Sequence, residues 1–369
     1  MRNLIRTEIL LVLGLMLLGT FIVFSASGTY SEFKFHDYYF LFKNHIVKVI
    51  IAILAMIVMA LIPYDFYKKI SKPSLLIIIV MLLITLILNQ KLNGAARWIS
   101  LGFLNFQPSE IAKIILIMHI AKMIESKGEL IKDFDNGFKY FLIWIILVAS
   151  IVVFQPNFST AIIICLISFT LIFIGGGKLS HLLAISLIGF LAGIIVFFSF
   201  PHVKIRLIQY FSSLFGIGEL NMQVLQAKIG LGSGGVVGVG FGLSRQSDLF
   251  LPESYTDFIF SILGEELGFI GAMVVLLIYF AIFITGVLIA KRAKDKFAHL
   301  LAFGISFNII ITALINVAVV TGLVPTTGIT LPFISYGGTS IIIFAASVGI
   351  LINIAQSDYM GSKTIEEKI

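Results

Sequence analysis

Ten long apolar segments constrain the fold of this chain more than any other feature of its sequence. Each has, or nearly has, the roughly 20 residues that a helix needs to cross the hydrocarbon core of a bilayer, and the eighth is long enough to include an interfacial extension. Their apolar residues run continuously instead of alternating, which favours helices over the strands of a membrane barrel. With 59% hydrophobic and only 12% charged residues, the sequence predicts an all-α integral membrane protein with about ten transmembrane helices. The segments are 8–27, 45–63, 74–89, 109–125, 138–154, 159–175, 181–200, 257–290, 299–321 and 337–356.

The basic residues predict the orientation of these helices. Most of the 26 Lys and Arg residues lie in connections on the side of the N-terminus. Because cytoplasmic connections are enriched in Lys and Arg, we expect both termini in the cytoplasm. The net charge of +7 then reflects membrane topology and does not indicate a nucleic-acid partner. The first segment is longer than the apolar region of a signal peptide, so we interpret it as an uncleaved span. We treat residues 1–369 as one polytopic domain that ends in a mobile cytoplasmic tail, residues 357–369.

Residues 201–256, between the seventh and eighth spans, are predicted to form a large extracytoplasmic loop. Its Gly-rich stretch, KIGLGSGGVVGVGFGLSRQ at 228–246, permits the close backbone approach that a re-entrant or a surface-hugging segment requires. Gly230, Gly232 and Gly235 match GxGxxG, yet no strand precedes them and no Gly-Lys-Ser/Thr follows, which excludes a nucleotide site. A structural turn and a cradle for a lipid pyrophosphate are both compatible with this stretch.

Four carboxylates lie where this loop enters the eighth span, in LFLPESYTDFIFSILGEELGFIG at 249–271. Acidic groups at or inside a membrane are expensive, so each is a candidate functional residue. Asp257 lies at the outer mouth of the span, where partial burial would raise its pKa and make it a better general base. The alternative is that Asp257 caps a helix. We expect Glu253 to hold a cation or to shape the loop, whereas Glu265 and Glu266 lie deeper and are expected to accept internal hydrogen bonds.

Polar residues before and within the fourth span form a second group. Arg97 and Trp98 are either an interfacial anchor or a functional pair. In the following QPSEIAK, Pro108 breaks the backbone after Gln107, and a Ser109 cap is expected to begin the helix. Glu110 and Lys113 are three residues apart and can pair, as structural groups or as part of a site.

The stretch TGLVPTTGITLPFISYGGTS at 321–340 contains too much Pro and Gly for a regular helix. We expect it to fold back as a packed turn that includes Ser335, Tyr336, Gly337 and Gly338. Asn316 inside the ninth span needs a polar partner and is expected to find it in this turn. The single cysteine, Cys165, excludes a disulfide framework and a cysteine-based metal site.

Five motifs in order resemble the SEDS family (shape, elongation, division, sporulation), the lipid-linked peptidoglycan glycosyltransferases FtsW and RodA. They are NGAARWISLGFLNFQPSEIAK, QPNFSTA, GSGGVVGVGFGLSRQ, FLPESYTDFIFSILGEELGFIGA and PTTGITLPFISYGGTS. The resemblance covers about residues 24–354. GFGLSRQ and GEELG are more similar to FtsW, and PTTG is nearer to RodA; the balance favours FtsW. Asn157 stands where the family commonly has Asp.

The resemblance implies polymerisation of lipid II into β-1,4 glycan strands for septal or lateral cell-wall synthesis in the bacterial cytoplasmic membrane. It places the essential acid of the family at Asp257, which we interpret as the general base. Arg97, Trp98, Lys113, Glu253 and Arg206 become candidate substrate-binding residues. The candidate supporting residues are Gln107, Pro108, Glu110, Ser335, Tyr336, Gly337 and Gly338. No cofactor is certain, and a divalent cation, Mg²⁺ or Mn²⁺, is compatible with the leaving pyrophosphate.

The resemblance also implies a partner, a class B penicillin-binding protein that acts as transpeptidase, and contacts with other membrane proteins of the division or elongation machinery. Two alternatives remain open. One is a flippase or transporter of lipid II, since intramembrane charges also suit a transporter. The other is a scaffold without catalytic activity that activates the transpeptidase.

Overall fold

The structure is a computed structural model that describes residues 1–88, 97–100, 105–216 and 221–366. Within these ranges the chain forms twelve α-helices joined by short connections. They are α1 (Arg2–Phe35), α2 (Phe40–Leu61), α3 (Tyr64–Leu88), α4 (Pro108–Lys127), α5 (Lys139–Phe154), α6 (Phe158–Ile174), α7 (Leu179–Ser199), α8 (Pro201–Phe215), α9 (Met222–Ser233), α10 (Ile259–Lys291), α11 (Lys296–Val320) and α12 (Ser340–Glu366).

A two-stranded antiparallel hairpin precedes α4. Its strands are β1 (Ile99–Ser100) and β2 (Asn105–Phe106), and Ile99 pairs with Phe106. Short helical turns cover Gly128–Lys132 and Phe134–Phe138 between α4 and α5, and Gln246–Phe250 between α9 and α10.

Each of the ten predicted apolar segments coincides with one helix, so the all-α membrane class is confirmed. In the described part of the chain, eight helical segments are long and apolar enough to cross a membrane. Of the other two, α6 is a shorter apolar helix and α4 carries several charged residues. The protein is therefore a multi-pass membrane protein, and the number of ten spans stays a prediction.

Residues 201–256 are more regular than the predicted loop, because they contain α8 and α9. In α8, Arg206, Tyr210 and Ser213 follow one another at spacings of four and three residues and so share a face. Ile205 and Ile208 are exposed on a different side. This amphipathic pattern is typical of a helix that lies along a membrane surface. The extracytoplasmic position of the segment stays a prediction.

The backbone of α12 stays helical as far as Glu366, into the predicted tail. Residues 367–369 lie outside the described residues, and the mobility of the tail stays a prediction. The bundle is centred on α11 and α12, which bury most of their apolar length, and α12 packs most extensively on α2. By contrast, α7 lies at the periphery and buries very little of its length.

The first part of α10 is separated from the rest by a break at Gly268, whose φ of 67° and ψ of −170° are not helical. The Gly-rich stretch supplies backbone partners on both sides of this break. The N–H groups of Val239 and Gly240 donate to the carbonyls of Glu265 and Glu266, at 3.0 and 3.1 Å. In return, the N–H groups of Phe269 and Ile270 donate to the carbonyls of Gly235 and Val236, at 2.9 and 3.1 Å.

The Gly-rich stretch lies along the outside of α10 and α1, where Val236, Val237 and Leu243 are exposed. The ring of Phe241 lies 6.3 Å from that of Phe21 in α1, centroid to centroid. Phe21 is about 20 Å before the end of α1 at Phe35, given the rise of an α-helix. The chain therefore runs along α9, turns next to the break in α10 and returns towards Asp257. The re-entrant or surface-hugging character of this segment stays a prediction.

We predict that Gly268→Ala destabilises the protein by about 1–3 kcal/mol, the typical cost of a strained backbone. A Cβ atom at this position would lie 2.6 Å from the carbonyl oxygen of Val236, and the positive φ disfavours any side chain. The measurement is the thermal unfolding midpoint in detergent. Gly189→Ala in α7 is the matched control, because a Cβ there meets nothing within 4 Å. Equal midpoints for the two variants would contradict this account of the break.

Candidate active site

Asp257 lies in a turn before α10 and not in the helix. The N–H groups of Thr256 and Phe258 donate to the carbonyl of Glu253, at 3.1 and 3.3 Å. Glu253 itself has a φ of 59°. Because this turn continues to Phe258, the helix begins at Ile259, two residues after the predicted start. Phe258 is the residue at the N-cap, so the alternative of Asp257 as the helix cap is wrong.

The side chain of Asn316 in α11 fixes the backbone of Asp257. Its Nδ2 donates to the carbonyl oxygens of Asp257 and Ile329, each at 2.7 Å. The partner expected for Asn316 in the 321–340 turn is therefore confirmed. A Cβ atom on Gly328 of the same turn would lie 3.9 Å from Asp257 Oδ2, so this turn passes close to the carboxylate.

The surroundings of the Asp257 carboxyl raise its pKa to about 6. Burial is the largest cause and the negative charge of Glu253 is the second. Three groups oppose them: Thr256 Oγ1, 3.0 Å from Oδ1, the backbone N–H of Asp257 itself, and the guanidinium of Arg206. The direction of the shift is the one predicted from partial burial. A carboxylate with this pKa is ionised at neutral pH and is a stronger base than an exposed aspartate.

Glu253 is exposed beside Asp257, and its Oε2 lies 2.8 Å from Thr256 Oγ1. The two carboxylates therefore flank one hydroxyl group. No group of three or more potential metal-binding side chains is found in the described part of the chain.

Asp257 opens into a cavity of about 270 Å³ between the 321–340 turn, α8 and α9. Arg206 lies in its wall, and its Nη1 donates to the carbonyl oxygen of Thr326 at 3.2 Å. The structure thus brings together the candidate base and one candidate substrate-binding residue. The other polar residues that line the cavity are Gln209, Asn221 and Gln223.

Arg97 faces the turn between α5 and α6. Its Nε donates to the carbonyl of Gln155 at 3.3 Å and its Nη2 to that of Pro156. Burial, with a smaller contribution from the charge of Arg206, lowers the pKa of Arg97 to about 10. Arg97 is thus a partly buried cation near Arg206. The choice between an interfacial anchor and a functional pair with Trp98 stays a prediction.

The predicted supporting residues pack around the hairpin and the start of α4. A Cβ atom on Gly338 would lie 2.7 Å from the carbonyl oxygen of Asn105, so the absence of a side chain at 338 lets the 321–340 turn approach β2, next to the ring of Trp98. The N–H of Gln107 donates to Thr339 Oγ1 at 3.2 Å. The hairpin and the 321–340 turn therefore hold one another in place.

The helix α4 begins at Pro108, and the Ser109 cap was wrong because Gln107 occupies the N-cap position. Proline suits the first helical position, since its missing N–H would be unpaired there. The Ser109 hydroxyl instead accepts from Gln107 Nε2 at 3.1 Å and from Asn157 Nδ2 at 3.3 Å. An amide at position 157 is thus used as a donor.

Glu110 and Lys113 form the predicted ion pair, with Nζ 3.0 Å from Oε2. The Lys113 side chain is only 2% exposed, and its Nζ lies 5.4 Å from the centroid of the Phe344 ring. This enclosure supports the structural alternative. A substrate role for Lys113 stays a prediction.

The 321–340 turn is packed, as predicted. Ser335 Oγ accepts from the N–H of Leu331 at 2.8 Å, and the N–H of Gly337 donates to the carbonyl of Ser335 at 2.7 Å. The N–H of Tyr336 donates to the carbonyl of Tyr255 at 2.9 Å, which connects the turn to the chain two residues before Asp257.

Glu265 and Glu266 accept internal hydrogen bonds, as predicted. The Glu265 carboxylate accepts from the N–H groups of Arg245 and Gln246, at 3.2 and 3.3 Å, and from two serine hydroxyls. Glu266 accepts from Gly242 N–H at 3.2 Å and from Ser25 Oγ in α1. Both carboxylates hold the Gly-rich stretch against α10.

The sequence analysis did not single out Lys48. Lys48 lies inside α2, is 7% exposed, and its Nζ is 3.7 Å from the centroid of the Tyr336 ring. The available signal was a lysine within an apolar segment, three residues after His45. Gln209, Asn221 and Gln223 carried no such signal, because polar residues in a long connection are ordinary.

Known proteins resemble this chain along almost its whole length. The cell cycle protein family FtsW/RodA/SpoVE matches residues 6–360. The probable peptidoglycan glycosyltransferase FtsW of Geobacter metallireducens is 34% identical over 349 residues, which cover 94% of this chain and 93% of that protein. Stage V sporulation protein E of Bacillus subtilis is 34% identical over 350 residues, 94% of this chain and 96% of that one.

The chain belongs to the SEDS family. A solved chain from a peptidoglycan synthase complex that coordinates polymerisation and crosslinking has the same fold, with a TM-score of 0.76 and 22% identity. The match covers 95% of this SEDS protein and 97% of that chain. Because FtsW and stage V sporulation protein E match at the same identity, the FtsW-like branch stays a prediction.

We predict that Asn316→Leu lowers the activity of this SEDS protein at least tenfold. Leucine keeps the volume of the side chain and removes both hydrogen bonds, so the backbone of Asp257 loses its link to the 321–340 turn. Asn308→Leu is the matched control, because Asn308 is a buried amide of the same helix without a bond to Asp257. Initial rates with saturating substrate test this, and equal rates for Asn316→Leu and Asn308→Leu would contradict the positioning role.

Proposed function

We propose that this SEDS protein polymerises lipid II at the outer face of the bacterial cytoplasmic membrane, with Asp257 as the general base. The chain is a peptidoglycan glycosyltransferase, as its family and its curated relatives indicate. One observation supports the role of Asp257 above the others. Its carboxylate has a pKa near 6 and opens into a cavity whose wall also carries Arg206.

The proposed reaction is a single displacement. The donor sugar is joined through an α-pyrophosphate to a polyprenyl chain, and a β-1,4 product requires inversion at C1. The acceptor 4-hydroxyl oxygen bonds to C1 while Asp257 takes the hydroxyl proton. The electron pair of the breaking C1–O bond goes to the pyrophosphate oxygen. Arg206 offers fixed positive charge in the same cavity, where negative charge develops.

A divalent cation held by Asp257 and Glu253 is compatible with the proposed reaction. Mg²⁺ is commonly held by one or two carboxylates together with substrate phosphates. Asp257 and Glu253 fit this mode, because their carboxylates flank the Thr256 hydroxyl at 3.0 and 2.8 Å. A cation held by them would supply positive charge on the Asp257 side of the donor sugar.

The proposal includes cytoplasmic termini and a place in septal or lateral wall synthesis. It also includes a class B penicillin-binding protein as transpeptidase partner, beside other membrane proteins of the division or elongation machinery. The basic residues on the N-terminal side support the orientation. The structurally similar chain that belongs to a polymerising and crosslinking complex supports the partner.

We predict that purified wild-type protein joins fluorescent lipid II into glycan chains, and that Asp257→Asn lowers the rate at least a hundredfold. The amide cannot take the acceptor proton, and general bases contribute about 10²–10⁴-fold. Product length on a gel measures the reaction. Asp248→Asn is the matched control, because Asp248 lies in the same connection and bonds to Thr29 at 2.9 Å.

The outcomes separate the alternatives. Normal polymerisation by Asp257→Asn would show that Asp257 is not the base. Translocation of lipid II by the wild type in liposomes, without polymer, would replace the enzyme by a flippase. Faster cross-linking by an added transpeptidase partner, with no polymer made by the wild type, would favour a scaffold.

A further inference from the structure

A second cavity, of about 180 Å³, adjoins the one that contains Asp257. Arg206, Asn221 and Thr326 line both cavities, so the two meet at these residues. Lys228 in α9 lines only the second. Arg206 therefore lies between Asp257, which lines only the first cavity, and Lys228, which lines only the second.

Both cations in this second cavity are available to a ligand. The Arg206 guanidinium has five N–H donors, and its only hydrogen bond within the described residues goes to Thr326 O at 3.2 Å. Lys228 takes part in none of the ion pairs or hydrogen bonds between the parts of the chain that the structure describes. Its Nζ lies over Gly322, where an added Cβ atom would approach to 2.6 Å.

The rest of the wall suits an anion that is joined to a hydrocarbon chain. Tyr210 and Asn221 contribute polar groups, and the Tyr210 hydroxyl donates to the carbonyl of Leu323 at 2.8 Å. Leu214, Val224 and Val324 contribute apolar surface. Arg and Lys are the side chains that proteins use most to bind phosphate groups. A site that combines these cations with polar and apolar walls matches a prenyl pyrophosphate.

We propose that the second cavity binds the pyrophosphate of the donor lipid, and that Lys228 and Arg206 hold it as the leaving group. This inference rests on the proposed function and assigns a place to each substrate. The acceptor hydroxyl lies on the Asp257 side of the donor C1. The pyrophosphate lies on the opposite side of C1, towards Lys228, as an inverting displacement requires.

The charges then act where the reaction needs them. When the C1–O bond breaks, its electron pair stays on the pyrophosphate, which gains one negative charge. The acceptor proton goes to Asp257, so the sum of the charges is unchanged. Because the attraction to Lys228 and Arg206 grows during this step, they stabilise the transition state more than the bound substrate. Loss of Lys228 should therefore lower kcat as well as affinity for the product.

Binding of farnesyl pyrophosphate, a short prenyl pyrophosphate, tests the site without turnover. The full-length protein in phosphatidylcholine nanodiscs is titrated with this probe, and with farnesol as the probe that lacks the anion. We expect Lys228→Gln to weaken binding of farnesyl pyrophosphate at least tenfold, Lys228→Arg to retain most of it, and farnesol binding to stay unchanged. Lys204→Gln is the matched control, because Lys204 is exposed in α8 and lines neither cavity.

Several results would overturn the proposal. Equal binding by wild type and Lys228→Gln would show that Lys228 does not hold the pyrophosphate. No binding by the wild type would show that the second cavity is not a pyrophosphate site. A loss of affinity with Lys204→Gln as large as with Lys228→Gln reduces the effect to general surface charge. Full displacement of the probe by phosphatidylglycerol in the nanodisc assigns the cavity to a phospholipid headgroup. Retained affinity in Lys228→Arg shows that the protein still folds when residue 228 is substituted.

Kinetics with lipid II separate this inference from the proposed function. If Lys228→Gln polymerises with the kcat of the wild type, the cavity assignment fails and the glycosyltransferase remains. If the wild type binds farnesyl pyrophosphate through Lys228 but makes no glycan, the site remains and the proposed function fails. We expect a kcat at least tenfold lower for Lys228→Gln, with Lys204→Gln at the wild-type value.

Discussion

Every backbone polar group inside an apolar bundle needs a partner, and α10 meets this constraint in an unusual way. Its hydrogen-bond ladder is interrupted at Gly268, and the Gly-rich stretch supplies four backbone hydrogen bonds across the break. This exchange holds the stretch against α10, and the carboxylates of Glu265 and Glu266 reinforce it. As a result α9 is kept beside the first part of α10, with its N-terminal end near Asp257.

The site follows from that arrangement. Residues of α8 and α9 face the 321–340 turn across the cavities, and Asn316 ties the backbone of Asp257 to the same turn. Asp257 is thus held by groups far apart in the chain, while burial and Glu253 raise its pKa and Arg206 opposes them. This balance keeps the carboxylate ionised at neutral pH and still able to take a proton.

Much of this architecture could be predicted from local sequence. Apolar segments locate the helices, since any chain crossing a bilayer must pair its backbone within helices. The 321–340 turn and the need of Asn316 for a partner also follow from residue type. Helix boundaries could not be predicted in this way. Asp257 resembles a cap until the turn closed by the Glu253 carbonyl is known, and Ser109 resembles one until α4 is seen to begin at Pro108. Lys48 was missed, because its position under Tyr336 depends on how α2 packs against a distant turn.

The central claim is that Asp257 is a base whose proton affinity is set by its neighbours. The most direct measurement is the pH dependence of kcat/KM for polymerisation between about pH 5 and 8, in wild type and in Glu253→Gln. The base is active above its pKa, so we predict that the wild-type rate is lost as the pH falls through about 6. Glu253→Gln removes a negative charge that raises this pKa, so its acid limb should move to lower pH. A wild-type rate that does not change across this range, or an acid limb that Glu253→Gln leaves in place, would contradict the account.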